Sequence, residues 1–267
     1  MKFNLLVPIL ILAIFSLNYS DRRSDKLNPE TPVLLINGEA IQLGEFLLVA
    51  KQIKIDVFTL FEKQVNGLDA FEEMKFWNSS FNGITPVEKL KQETGKHLIR
   101  IKTEQWLAEK YKIIQKFNYS DFILNLEQEN IRRFNAVKYK KPVYGPVQYS
   151  EEFYYSYLYN NMVIKLKDIL GNQVFKFTDN QYKEYYEINK DIHYRRSSAK
   201  GSLLVQGEIL QDFKPFDEVK EQIRYSLIDE EYEKLIDIYS STAELKETDN
   251  PVSRNINDDS LIGLMYN

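Results

Sequence analysis

Residues 33–46 read Val33-Leu34-Leu35-Ile36-Asn37-Gly38-Glu39-Ala40-Ile41-Gln42-Leu43-Gly44-Glu45-Phe46. The run Val33 to Ile36, the Asn37-Gly38 pair and the second short run Glu39-Ala40-Ile41 predict two strands joined by a type I′ turn, because Asn-Gly readily supplies the positive φ angles that turn needs. From Glu45 to Gln64 the period changes. Phe46, Leu47, Val49, Ala50, Ile53, Val57, Leu60 and Phe61 recur at spacings of three and four, which is helical. A small hairpin thus feeds a long helix with one apolar face.

Further along, helical patterns dominate. Asn66-Gly67 stops the first helix, and a short helix with Phe71, Met74 and Trp77 precedes a loop over 78–83. Thr85-Pro86-x-Glu88 opens the next helix, with Thr as N-cap, Pro at the first helical position and an acid in the first turn. Its stripe of Val87, Leu90, Leu98, Ile101, Leu107 and Ala108 predicts one buried side as far as about Gln115, with Gly95 a weak point. Asn118 to Asp121 separates it from a helix through Phe122, Leu126, Ile131, Phe134 and Val137. Pro142-Val143-Tyr144-Gly145-Pro146-Val147 is a rigid, non-helical connection.

Ser150 with Glu151 and Glu152 starts a helix that Gly171-Asn172 should end after Leu170. Thr178 or Asp179 caps a short helix through Asn189, and 191–201 reads as loop. Leu203 to Leu210 is a candidate strand, and a last long helix after Pro215 carries Val219, Ile223, Leu227, Ile228, Leu235, Ile236 and Ile238. Ser241 to Leu245 is a candidate closing strand, and 246–267 reads as a flexible tail. The fold expected is mainly α, with a small sheet formed from N-terminal and C-terminal strands.

Composition narrows function. With 267 residues, a net charge of −4 and no cysteine, the chain has no basic footprint for nucleic acid and no thiol nucleophile, disulfide or thiolate metal site. Its two histidines, His97 and His193, read as ordinary helix or loop residues. No phosphate-cradling glycine loop, His-Glu-x-x-His helix or Gly-x-Ser-x-Gly elbow occurs. Glu72-Glu73 and Asp229-Glu230-Glu231 read as solvated helix surface. No cofactor or metal is implied.

Met1-Lys2 followed by the mostly apolar run Phe3 to Leu17 has the layout of a secretory signal. As a helix that run reaches only about 22 Å, short of a bilayer's roughly 30 Å hydrocarbon layer. A cleavable signal over 1–25 therefore fits best. An uncleaved anchor is the second reading, since Arg22, Arg23 and Lys26 follow the run, and a buried cytosolic helix the third. The first two place the remainder outside the cytoplasmic membrane, with membrane contact expected only through residues 3–19 where these stay uncleaved.

The order hairpin, helix array, short helix, insertion point, long terminal helix and final strand resembles the chaperone module of the SurA/PrsA foldase superfamily, over roughly residues 33–245. Val33 to Ile41 with Glu45-Phe46 resembles the family's opening phrase. Phe177-Thr-Asp-Asn-Gln-Tyr-Lys-Glu-Tyr-Tyr-Glu-Ile-Asn-Lys190 resembles the segment that leads into the parvulin prolyl-isomerase domain, and Phe216-Asp-Glu-Val-Lys-Glu-Gln-Ile-Arg224 the helix that follows it. Tyr144 to Ser150 and Trp77 through Leu90 are similar to exported isomerase-like proteins of Gram-positive bacteria. A parvulin domain needs about ninety residues, and only some twenty-five lie between Lys190 and Pro215. The family's paired histidines and Gly-Gly-Asp-Leu-Gly phrase are missing from that segment. The resemblance therefore implies a peptide-binding chaperone of exported proteins without isomerase activity. A degenerate isomerase and a docking module for one dedicated envelope partner are the alternatives.

One helix invites a peptide-binding reading. Tyr149, Phe153, Tyr154, Tyr155, Tyr157 and Tyr159 crowd more than one of its faces, and tyrosine offers flat apolar area whose hydroxyl tolerates water. The competing reading makes Phe153, Tyr157 and Met162 core, with the others packed under neighbouring helices. Partners expected are unfolded or extended segments of exported proteins.

Overall fold

The computed structural model describes residues 28–62, 73–196, 204–205, 208–209, 213–248 and 261–264. The signal or anchor reading, the stop at Asn66-Gly67 and the start of the second helix at Phe71 lie outside them. Strands β1 (Pro32–Ile36) and β2 (Glu39–Gln42) form the expected hairpin, with Ile36 opposite Glu39 and Leu34 opposite Ile41. Asn37 and Gly38 take φ angles of 51° and 81°, as a type I′ turn requires. Asn37 also ties the two ends of the chain together. Its amide donates to the Glu244 carbonyl at 2.9 Å and its side-chain oxygen accepts from the Glu244 amide at 2.8 Å.

Helix α1 (Leu43–Glu62) packs on α2 (Glu73–Asn78) and α3 (Pro86–Lys110) in a core containing Trp77, Leu90 and Leu98, all fully buried. A buried Trp is worth about 3–5 kcal/mol against its Ala truncation. The start of α3 is the expected one, a complete capping box in which the Glu88 amide donates to Thr85 Oγ1 and Glu88 accepts from the Thr85 amide at 2.8 Å. Its end is earlier than expected. Lys112 adopts φ 58°, and the Ile113 and Lys112 amides turn back to the Ala108 and Glu109 carbonyls at 2.8 and 2.9 Å. That is a Schellman stop built on lysine, a residue that gives no stop signal in sequence.

Helix α4 (Tyr119–Lys138) is N-capped by Asn118, and α5 (Glu151–Gln173) by Ser150. Gly171 does not end α5. It lies inside the helix against Ile228, where an added Cβ would sit 2.4 Å from Cδ1, so it is a packing notch. Helix α6 (Asp179–His193) runs past the expected loop start at Asp191. The expected strand over 203–210 is only the two-residue pair β3 (Leu204–Val205) and β4 (Glu208–Ile209), flanked by an Arg195–Phe213 bridge. Helix α7 (Phe216–Ser241) then crosses α3, α5 and α6. It buries Tyr232 and Ile236 beside Leu107, Leu166 and Leu170, and Val219 and Ile223 beside Tyr194.

The closing strand exists but is displaced by the extra length of α7. Strand β5 (Leu245–Glu247) pairs antiparallel with β1, giving the order β2-β1-β5. The sheet joins N-terminal to C-terminal strands as anticipated. Gly95 seats the Leu245 side chain, which would lie 3.2 Å from an added Cβ. Within the stretch read as a flexible tail, Lys246 and Glu247 are strand, and Leu261 and Ile262 are buried in the first core.

Candidate functional site

Helix α4 is the helix expected through Phe122, Leu126, Ile131, Phe134 and Val137, and it buries only part of that set. Apolar burial runs only through its first half, Tyr119, Phe122 and Leu126. Past Leu126, Arg133 alone is buried, while Ile131, Phe134 and Val137 stand exposed. The chain then folds back along α4 as an extended strap over 139–149. Arg133 holds the strap, donating to the Tyr144 and Pro146 carbonyls at 2.9 and 2.7 Å and to the Tyr149 hydroxyl. The guanidinium carbon lies 3.9 Å from the Tyr149 ring centre, a stacked cation–π arrangement. Asn130 grips the Tyr149 backbone in both directions, at 2.8 and 3.0 Å.

The strap delivers the six candidate aromatics to different fates. Tyr149 and Tyr155 are buried, Tyr154 and Tyr159 half-buried, and Phe153 and Tyr157 exposed at 52% and 47%. The pair weighed as core is therefore the accessible one. Helix α5 turns Tyr155, Met162, Leu166 and Leu170 inward, a spacing of seven, four and four that leaves 153 and 157 on the outside. Phe153, Tyr154 and Tyr157 all stack on Tyr149, with ring centres 5.3–5.9 Å apart and planes within 28°. Tyr154 continues the stack to Phe122 at 5.8 Å. Phe153 and Tyr157 thus present ring faces fixed from beneath.

Three of the tyrosine hydroxyls meet charges taken out of water. Tyr149 meets Arg133. Tyr155 donates to Glu45, 2% exposed, at 3.2 Å, and Lys102 closes that pair at 2.7 Å. Tyr159 donates to Glu104, fully buried, which also accepts from Tyr232 at 2.9 Å and lies 3.2 Å from Arg100. Burial, the largest influence, raises the Glu104 carboxyl above its usual range, while the hydrogen bond from Tyr159 pulls it back. Burial likewise pushes the Tyr155 and Tyr159 hydroxyls up, beside the charges of Glu45 and Glu104. Buried charges are tolerable only when paired and hydrogen-bonded in this way. Nothing in the spacing of Glu45, Glu104 or Arg133 marked them in the sequence.

Between the first half of α4, the 113–118 segment and α5 runs a groove of about 500 Å³. Ile113, Phe117, Phe122, Leu124, Leu158 and Met162 form its apolar walls. Gln115, Asn125, Gln128 and Asn161 add carboxamides, each able to donate and accept. Tyr155 and Tyr159 reach it from below, so four of the six candidates lie at the groove or on the outer ring stack and two, Tyr149 and Tyr154, support them. Half of the large apolar side chains left exposed among the described residues fall between 119 and 173.

Such a surface can hold apolar chain by contact and hydrogen bonding. Among the described residues no His, Asp or Glu cluster is arranged to hold a metal ion. His97 and His193 are both exposed, on α3 and at the end of α6. No described helix is long and apolar enough to cross a membrane. No protein-family model, curated protein or solved structure matches the chain.

Proposed function

We propose that the chain is an ATP-independent holdase acting outside the cytoplasmic membrane on unfolded or extended segments of exported proteins. One observation carries this reading: an open groove with apolar walls runs between α4 and α5, and half of the large apolar side chains left exposed among the described residues fall on α4, the strap and α5. An open groove with apolar walls and exposed apolar side chains at its edge is the form an interaction site takes. Phe153, Tyr157 and Leu158 on α5 and Leu124 on α4 are the client contacts in this reading, and each contact is weak because the client must be ordered on binding.

The resemblance to the SurA/PrsA module adds support from the order of elements. The Lys214 amide donates to the Tyr194 carbonyl at 2.8 Å, so the chain leaves and rejoins the body side by side where that family carries its parvulin domain. The reading these support is a tethered or secreted holdase without isomerase activity.

The test is aggregation of an unrelated unfolded protein, followed by light scattering without nucleotide, with the chain lacking residues 1–25 at near-stoichiometric amounts. Suppression is expected, and Phe153→Ser with Tyr157→Ser should weaken it while leaving the fold intact, because both rings are exposed. Unchanged scattering would refute the holdase and favour a docking module for one envelope partner. Isomerisation of a proline peptide that His193→Ala abolishes would overturn the non-enzymatic reading.

A further inference from the structure

The far end of α4 and the strap segregate charge. Residues 130–150 contain Arg132, Arg133, Lys138, Lys140 and Lys141 and no Asp or Glu, in a chain of net charge −4. Glu129 engages the two arginines at 2.6 and 2.8 Å. The three lysines have no carboxylate partner among the described residues. Lys138 lies over the Tyr139 ring at 5.9 Å. Every residue from Phe134 to Gln148 is exposed save Ala136 and Val143, and Tyr139 and Tyr144 reach 66% and 87% exposure.

We propose that this tip docks on an anionic lipid surface. The pattern is lysines without carboxylate partners among the described residues, interleaved with exposed Phe134, Tyr139 and Tyr144. Tyrosine is the residue of the bilayer interface, with its ring among the acyl boundary and its hydroxyl in the headgroups. Lysine stems lie along apolar surface while the ammonium reaches phosphate. None of the cavities described is lined by residues 130–150, so the tip suits a plane better than an extended acidic peptide, which needs a groove. Because the rest of the chain is acidic, an anionic membrane attracts the tip and repels the body, which fixes the orientation. Contact through this tip is separate from any contact through residues 3–19 and does not depend on the holdase reading.

Lys140 supplies a variant that protects the fold. It sits at φ 55° in a second Schellman stop, where the Lys141 and Lys140 amides reach the Ala136 and Val137 carbonyls at 2.8 and 3.0 Å. Glycine suits that conformation better than lysine does. The experiment partitions the full chain and its Lys138→Gln/Lys140→Gly/Lys141→Gln variant onto phosphatidylcholine vesicles with and without phosphatidylglycerol, across lipid concentrations. Both proteins carry the same residues 1–27, so a difference between them reports on the tip. The triple change is expected to lower partition onto the anionic vesicles by on the order of a hundredfold, roughly fivefold per lysine, with little change on phosphatidylcholine. Added salt should shrink the difference, and Tyr139→Ser/Tyr144→Ser should weaken binding on both vesicles. Equal partition of wild type and triple variant overturns the proposal. So does binding of soluble polyglutamate as tight as binding to vesicles, with the tyrosine variant unaffected, which would assign the tip to acidic protein chains.

Discussion

Removing one oxygen, by Tyr159→Phe, tests whether Glu104 is the polar keystone of the helix array. Glu104 on α3 is fully buried and takes hydrogen bonds from Tyr159 on α5 and Tyr232 on α7, with Arg100 at 3.2 Å. Phenylalanine keeps the ring packing and deletes only the donor. A hydrogen bond to a buried charge is worth about 1.5–3 kcal/mol, and to a neutral group about 0.5–1.5. The sign of the pH dependence follows from the ionisation of Glu104. Burial holds its folded-state pKa above the ordinary value, so its contribution to stability is full when protonated and declines as pH rises through that raised pKa. Losing Tyr159 removes an influence that lowers the pKa, so the variant declines further. The gap between the two proteins should be about 1 kcal/mol where Glu104 is protonated and should widen toward about 2 kcal/mol as pH rises and it ionises, read by urea unfolding followed by circular dichroism. In a Glu104→Gln background, which cannot titrate, the same substitution should show no such widening. A gap that stays constant with pH in the native background, or that falls below about 0.5 kcal/mol throughout, would refute the keystone.

Two packing features give sharper local predictions. Gly171→Ala gains up to about 1 kcal/mol of helix propensity but drives a Cβ to 2.4 Å from Ile228 Cδ1. A net loss of about 1–2 kcal/mol is expected. Ile228→Val removes that methyl, so a double-mutant cycle by urea unfolding should show favourable coupling, and additive losses would mean Gly171 is not a notch. Lys112→Gly relieves a left-handed lysine at φ 58° and should raise the midpoint of thermal unfolding by about 2 °C, corresponding to roughly 0.5–1 kcal/mol. A lower midpoint would show that the lysine side chain contributes more than its backbone conformation takes away.

What could be read from the residues was local chemistry with its own geometry. Asn37-Gly38 leaves few alternatives to its turn, and Thr85-Pro86-x-Glu88 carries every part of its cap. The inward stripe of α3 was legible because Val87, Leu90, Leu98, Ile101, Leu107 and Ala108 are buried without exception. What failed depended on distant partners. Gly171 resembles a stop and is a seat for Ile228, a residue fifty-seven positions away. Lys112 ends α3 although lysine favours continuing a helix. The apolar residues of α4 give its helical period, yet among the described residues nothing covers Ile131 and Phe134. Among the six aromatics, spacing alone placed 153 and 157 with Met162. The inner face was set instead by Tyr155, whose hydroxyl needed Glu45, 110 positions earlier.

Those charge pairs explain why tyrosine rather than phenylalanine stands at 155 and 159. The two residues are four apart on α5, one turn, and their hydroxyls reach separate carboxylates: Glu45 on α1 and Glu104 on α3. Sliding or rotating α5 by one residue would leave both carboxylates without these donors, whereas the apolar contacts of Met162 and Leu166 tolerate exchange among neighbours of similar volume. Buried polar pairs are best attested as setters of register, and that role has a consequence for the surface. Once Tyr155 and Tyr159 are fixed inward, Phe153 and Tyr157 are fixed outward, and the Tyr149 ring stacked against both supports them from below. Apolar side chains that could otherwise rotate into the core are thereby held facing solvent. A holdase requires that arrangement, since its client surface must stay exposed without a client and must not collapse onto itself.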